Sequence, residues 1–270
     1  MFTLFNEDVQ QACRLSGAKR KTEQRAGRVN IMKMFNKLAA YYDLMFREDY
    51  SMKARVVYSI LNGLGVKSGH LLDVGCGTGN HLREFRLLGF SVEGLDSSIE
   101  MLRLARAKLP NVVLHKARME WMRLGLGFDV ITLLSRTLLF VKNYFWLKVV
   151  LKRLFNHLNP DGVLIMDLDI HDLTFSPELS SSNYFHEGKI EGSLMEDYEL
   201  NKGKILWSAN LSIKEGSELI RTVDNQEYLL INVHKLMILM RDVGFRVKIY
   251  DVNGVETTNH KQALIFACIK

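Results

Sequence analysis

From Lys33 onward the apolar residues recur with a helical period, and Met34, Phe35, Leu38, Ala39, Tyr42 and Met45 share one face. A second amphipathic segment over 50–63 ends at Gly63 and Gly65, residues suited to a helix stop. Strand and helix patterns then alternate. HLLDVG (70–75) reads as a strand, 79–88 as a helix halted at Gly89, and FSVEGLD (90–96) as a strand. A serine-capped helix over 97–109 ends before Pro110, and VVLHK (112–116) and FDVITLL (128–134) are further strands. A long helix (143–158) leads through Asn159-Pro160-Asp161-Gly162, a turn, into the strand VLIMDLD (163–169). This alternation predicts an α/β fold: a mostly parallel sheet with helices on both faces.

The pattern changes near residue 170. Residues 171–194 are polar and read as a loop. Three alternating runs follow, at 195–201, 205–213 and 218–229, separated by Asn201-Lys202-Gly203 and Lys214-Glu215-Gly216. That is the signature of an antiparallel meander. A helix (231–243) stops at Gly244, and FRVKIYDV and QALIFACI close the chain.

Length and composition add limits. The chain has 270 residues, 47% of them hydrophobic, enough for a sizeable core. No apolar run reaches a membrane span, and the start lacks the long apolar stretch of a secretory signal. Cys13, Cys76 and Cys268 are too far apart to suggest a disulfide framework or a zinc site, so a cytoplasmic location is expected. The net charge of +6 is concentrated at one end: residues 1–34 hold seven Lys/Arg against three acids. We therefore expect a basic arm over 1–31, with Met32 and Met34 as alternative starts, and one domain over 32–270 carrying 171–230 as an insertion. An ordinary solvated surface explains the remaining charge, and RNA is the alternative partner that the arm leaves open.

The chemistry concentrates in LLDVGCGTGNHL (71–82). Gly75, Gly77 and Gly79 lie where a strand turns into a helix, and glycine there permits a sharp bend and close approach of a ligand. The dinucleotide fingerprint would need glycine where Asn80 stands, and the phosphate-loop motif is absent. Asp73, just before the turn, would repel a pyrophosphate but can accept a hydrogen bond from an ammonium or backbone N–H. Asp96, at the end of the next strand, can accept both hydroxyls of a ribose. Together these describe a nucleoside ligand without a diphosphate, and S-adenosylmethionine (SAM) fits. The plainer alternative is a structural glycine turn with Asp96 capping a helix.

These motifs resemble those of class I SAM-dependent methyltransferases, whose core is Rossmann-like with a seven-stranded sheet. The closest resemblance is to the small-molecule branch that includes the amino-sugar N,N-dimethyltransferases. It runs from about Tyr41 to the C-terminus, through YYDLMFREDY (41–50), LLDVGCGTGNHL, VEGLDSSIEMLRLAR (92–106) and LNPDGVLIMDLD (158–169). The resemblance implies that Asp73, Gly75 and Gly77 hold the methionine part, that Asp96, followed by Ser97, holds the ribose, and that Tyr42 lies near the SAM carboxylate. It also implies that the meander covers the substrate.

The chain departs from that pattern in places. Ala117-Arg118-Met119 stands where relatives carry Gly-Asp-Met. Arg118 then either stacks on the adenine or points to solvent, leaving the Met119 backbone to read the base. Phe140 aligns with the histidine of the amino-sugar enzymes. Residues 133–145 contain no acid, unlike the loop that holds a guanidinium in arginine methyltransferases. Arg136 there is either a partner for an anionic substrate group or a surface arginine. With Leu138, Leu139, Phe140, Tyr144 and Phe145 nearby, the segment predicts an apolar or aromatic acceptor.

At the end of the fifth strand, DLDIHD (167–172) offers His171 or Asp169 as a general base, a hard-metal site, or a structural cap. His81 reads as structural. The signature [DNS]-P-P-[YFW] of exocyclic base methylation is absent, since the prolines are Pro110, Pro160 and Pro177. The expectation is a SAM-dependent methyltransferase acting on an N or O atom of a small molecule, without a metal. The alternatives are an RNA methyltransferase and a SAM-binding protein without turnover.

Overall fold

The computed structural model describes residues 33–125, 127–176 and 178–270. The arm expected over residues 1–31 lies outside the described residues.

The main sheet has seven strands: β1 (His70–Val74), β2 (Ser91–Asp96), β3 (Val113–Lys116), β4 (Phe128–Leu133), β5 (Leu158–Leu168), β10 (Arg246–Tyr250) and β11 (Leu264–Ile269). Their order is β10-β11-β5-β4-β1-β2-β3. Only β11 runs antiparallel to its neighbours, so the carboxyl ends of the other strands share one edge. Apolar strands buried on both faces require helices on both sides. One face packs Ala54, Val57, Ile60 and Leu61 of α2 (Tyr50–Gly63), with Leu82 and Phe85 of α3 (Asn80–Leu87) and Leu102 of α4 (Ile99–Lys108), on Leu71, Val130 and Ile165. The other packs α5 (Tyr144–His157) and α6 (Val233–Val243) on Leu72, Val74, Ile131 and Met166.

A separate antiparallel sheet has the order β6 (Ser180–Glu187), β7 (Ile190–Asn201), β8 (Lys204–Glu215) and β9 (Glu218–Leu229). Its inner face, with Phe185, Leu194, Tyr198, Ile205, Trp207 and Leu211, joins the same core as α5 and α6. Four strands replace the expected three-stranded meander. The pattern hid β6 because nearly every residue from Ser180 to Glu187 is polar or exposed, so no alternation marks it.

Three boundaries also differ from expectation. The lead-in is not one helix: a 3-10 turn (Ala39–Tyr41) precedes α1 (Tyr42–Met45). Its start is drawn to β9, where Met34 N–H donates to Asp224 Oδ2 at 2.9 Å and Lys33 Nζ to the Val223 carbonyl at 2.9 Å. The Asn159–Gly162 turn is absorbed into β5 as an irregularity, with Asp161 at φ 61° and a register shift against β4. The serine that caps α4 is Ser98, whose Oγ accepts from Met101 N–H at 3.2 Å, while Ser97 is exposed.

Candidate functional site

β1 ends in Val74, and the chain turns back over the carboxyl edge through Gly75 (φ 78°), Gly77 (φ 52°) and Gly79 (φ 83°). The turn is pinned to β2: Gly75 N–H and Cys76 N–H both donate to the Leu95 carbonyl, at 2.7 and 3.1 Å. The first two glycines have different reasons for being glycine. A Cβ at Gly75 would lie 2.4 Å from Thr137 Oγ1, whereas one at Gly77 would meet nothing within 4 Å. Gly75 is thus required by the protein's own packing, and Gly77 faces open space that a ligand can take. Gly75→Ala is expected to cost roughly 3 kcal/mol of stability, from left-handed strain plus the clash. Gly77→Ala is expected to cost roughly 1 kcal/mol while obstructing a ligand. Thermal melts and ligand titration of the two variants separate these outcomes.

Beneath the turn, Asp73 is buried and accepts a hydrogen bond from Thr132 Oγ1 at 2.7 Å. Burial pushes its carboxyl up to about 7, and the Thr132 hydroxyl only partly counters this. Asp96 accepts Gly77 N–H on Oδ2 at 3.0 Å and Ser98 N–H on Oδ1 at 2.7 Å. A carboxylate has about four acceptor positions, so both oxygens keep capacity for a diol while the backbone fixes their direction. Tyr42 packs between Phe35 and Phe46, with ring centroids 5.7 and 4.9 Å away, and burial raises its phenol so that it stays protonated.

Its neighbour Asp43 ties this lead-in segment to the glycine turn. It accepts from Thr78 Oγ1 at 2.7 Å, Asn80 Nδ2 at 3.0 Å and Lys108 Nζ at 2.6 Å. Sequence reading passed over Asp43, although it stands beside Tyr42 in the same motif.

A second cluster lies across β4. Lys53 Nζ pairs with Asp167 at 2.7 Å and with Glu48. Burial pushes the Glu48 carboxyl up, but Lys53 and the Ser135 hydroxyl outweigh it, leaving Glu48 below the usual carboxylate range. A cavity of about 200 Å³ opens here between α2 and the segment joining β10 to β11. Among the described residues, Glu48, Asp49, Asp167 and Asp169 line it against one cation, Lys53. Glu48 and Lys53 went unread because charges at the start of an amphipathic helix look like a solvated face. Among the described residues, no group of three or more His, Cys, Asp or Glu is arranged to hold a metal ion.

Several expected roles do not survive this geometry. His171 is fully buried: its Nε2 donates to the Gln262 carbonyl at 2.9 Å and its Nδ1 accepts Leu173 N–H at 3.3 Å. With both ring nitrogens engaged away from solvent, it is a structural residue and not a general base. Asp169 does line the cavity but is ion-paired with Arg136 at 2.8 Å. Arg136 also donates to the Tyr198 hydroxyl at 2.8 Å, so its guanidinium is tied to two elements of the protein itself.

Arg118 makes a two-pronged pair with buried Glu120 through the edge of its guanidinium, 2.8 Å at the shorter contact, and Met119 packs against the core beside it. Leu138 and Leu139 are buried, and the Tyr144 hydroxyl accepts Asn232 N–H at 2.8 Å. Of the apolar acceptor edge expected there, those two leucines are core, while Phe140 and Tyr144 are half-buried and Phe145 is exposed. His81 is structural in its surroundings: it is buried, edge-on to Tyr50, and burial holds it down at about 4, so it stays neutral.

Known proteins share this architecture. The dTDP-3-amino-3,6-dideoxy-alpha-D-glucopyranose N,N-dimethyltransferase of Streptomyces fradiae is 32% identical over 157 residues, covering 57% of this chain and 60% of that relative. The dTDP-3-amino-3,4,6-trideoxy-alpha-D-glucopyranose N,N-dimethyltransferase of Streptomyces venezuelae is 27% identical over 182 residues, covering 66% and 71%. Among solved structures, Streptomyces venezuelae DesVI superposes with a TM-score of 0.77 at 21% identity, over 86% of this chain and 97% of that one. SAM-bound CalS10, an amino pentose methyltransferase from Micromonospora echinaspora, gives 0.74 at 21% identity, over 87% and 96%. These two show the fold. The methyltransferase-domain family model matches residues 46–203, more than half of the chain, and the chain belongs to that family.

Proposed function

We propose that this chain is a SAM-dependent N-methyltransferase whose acceptor is the amino group of a small molecule, an amino sugar. The observation that carries the amine is the cavity beyond β5 and β11, with four carboxylates and one ammonium on its walls. The lone pairs these carboxylates keep can accept N–H donors such as an amine, and the apolar residues of the same walls, Val56, Val57, Leu134 and Leu264 among them, can pack a ring. The amino-sugar acceptors named for the relatives agree with this. A cavity of about 150 Å³ accommodates a benzene ring, so the volume here suits one sugar ring and not a polymer.

The residues at the turn fit the cofactor. Asp96 would hold the ribose hydroxyls, the open space at Gly77 would admit the amino-acid part, and Asp73 would offer it a carboxylate from below. Arg118, paired with Glu120, is left out of this set, and the Met119 segment alone would border the adenine. When bound, SAM supplies a methyl group activated by its sulfonium. The chain's own task is to align a neutral amine with that methyl and to exclude water. No described helix is long and apolar enough to cross a membrane.

The test is a labelled-SAM assay over amino sugars, their nucleotide-linked forms and matched hydroxyl analogues. Label is expected on the amines and not on the hydroxyl partners. Transfer to the hydroxyls alone, or to none of the compounds, would overturn the proposal.

A further inference from the structure

The loop that follows β4 contains two consecutive left-handed residues, neither of them glycine: Ser135 at φ 53° and Arg136 at φ 66°. Each such residue costs roughly 1 kcal/mol or more, and a pair persists only where surrounding contacts over-determine it. Those contacts come from two directions. Toward α2 and β5, Ser135 N–H donates to Asp167 Oδ2 at 2.9 Å and its hydroxyl to Glu48 Oε2 at 2.6 Å. Lys53 bridges those same two carboxylates. Toward the four-stranded sheet, Arg136 donates to Asp169 at 2.8 Å and to the Tyr198 hydroxyl of β7 at 2.8 Å. Tyr198 donates onward to Glu196 at 3.1 Å, which also accepts from Trp207 Nε1 of β8 at 2.8 Å. One dipeptide therefore links the lead-in to α2, the end of β5 and the four-stranded sheet.

We propose that Ser135 and Arg136 form a clamp that sets how the four-stranded sheet stands over the carboxyl edge, and that Lys53 is the positioning residue that keeps the clamp shut. This rests on the reading of the chain as a methyltransferase. The Lys53 ammonium sits between the Glu48 and Asp167 carboxylates and bridges them. Without its ammonium nothing bridges the two carboxylates, and they move apart. Ser135 then loses an anchor, the left-handed pair relaxes, and Arg136 carries the shift to Tyr198. A misplacement near 1 Å at an acceptor site lowers turnover by roughly 10²-fold. The cofactor turn is bonded elsewhere, to Leu95, Asp96 and Asp43, and meets this segment where Gly75 packs on Thr137, so its affinity for ligand changes much less than turnover.

The test uses the full chain and the variants Lys53→Met, Lys53→Arg and Ser135→Ala. S-adenosylhomocysteine (SAH) affinity is measured by calorimetry, local opening by backbone hydrogen exchange over 133–137 and 194–198, and kcat and KM on an acceptor amine that the parent methylates. Lys53→Met is expected to lose roughly 10²-fold in kcat and to exchange faster in both segments, with SAH affinity within about twofold of the parent. Lys53→Arg is expected to recover most of the turnover, because a guanidinium can also bridge two carboxylates. Ser135→Ala should shift every reading in the same direction but less, and it decides the matter if Lys53→Met fails to fold.

Unchanged exchange over 133–137, or a loss of SAH affinity equal to the loss of kcat, would overturn the clamp. If the parent chain methylates nothing, the function proposed above fails, and the exchange measurements still decide the clamp.

Discussion

Replacing Asp96 with alanine is expected to weaken SAM and SAH binding together, by roughly 10²- to 10⁴-fold, the equivalent of two hydrogen bonds to a charged acceptor. The side chain acts twice. Its free lone pairs are placed for the two ribose hydroxyls. Its occupied ones hold Gly77 N–H at 3.0 Å and Ser98 N–H at 2.7 Å, which fix the turn and the start of α4. Alanine removes the ribose acceptor and leaves both N–H groups without their partner. Asparagine would retain the shape and one carbonyl acceptor, so Asp96→Asn should fall between the parent and Asp96→Ala. Both ligands carry the same nucleoside and should weaken in parallel in a calorimetric titration. A parent-like curve for Asp96→Ala would remove the ribose assignment.

The parts of the fold that were legible in the sequence are those where one physical cause dominates. The inner strands of the main sheet, such as β1, β4 and β11, are buried on both faces, so they read as short apolar runs, as FDVITLL does. The glycine turn was legible because its left-handed angles require glycine, and Asp96 because it stands one strand further on at the same edge. β6 was illegible, since a polar edge strand with little buried surface is held by pairing to β7 and leaves no hydrophobic period. The lead-in was misread as one helix because its apolar face is real, with Met34 and Met45 buried, while contacts to β9 bend the backbone.

The acceptor side was less legible for a different reason. Its charged residues act in combinations spread over the chain. Glu48 and Lys53 come from the lead-in and α2, Asp167 from β5 and Tyr198 from β7, and no short motif contains them. His171 and Asp169 were read as alternatives for one role because they are two residues apart at a strand end. The structure sends them opposite ways, one into the core against Gln262 and the other into an ion pair with Arg136. Arg118 was read by alignment with an acid, but its partner is Glu120, two residues further on, a local pairing that a pattern-based reading did not weigh.

Asp73 links the cofactor turn to the pH dependence of the whole protein. Its carboxyl lies at about 7 in the folded chain against 3.8 when unperturbed, chiefly because it is buried, with Asp96, Asp167 and Glu48 adding repulsion. A raised folded value means that the native state holds this proton more tightly than the unfolded state does. The contribution is fully present below about pH 4 and is lost as pH rises to 7, at roughly 1.4 kcal/mol per unit, or of the order of 4 kcal/mol in all. Asp73→Asn cannot ionise, so it is expected to be more stable than the parent at pH 8, with the difference shrinking toward pH 4. A ligand bearing an ammonium favours the ionised carboxyl. SAM affinity of the parent should therefore rise between pH 5 and pH 7, by up to roughly tenfold per unit, while Asp73→Asn binds weakly with a flatter profile. Denaturant titrations and calorimetry across that range measure both effects. If Asp73→Asn kept the parent's pH slope in stability and in affinity, Asp73 would be neither the titrating group nor a contact of the cofactor.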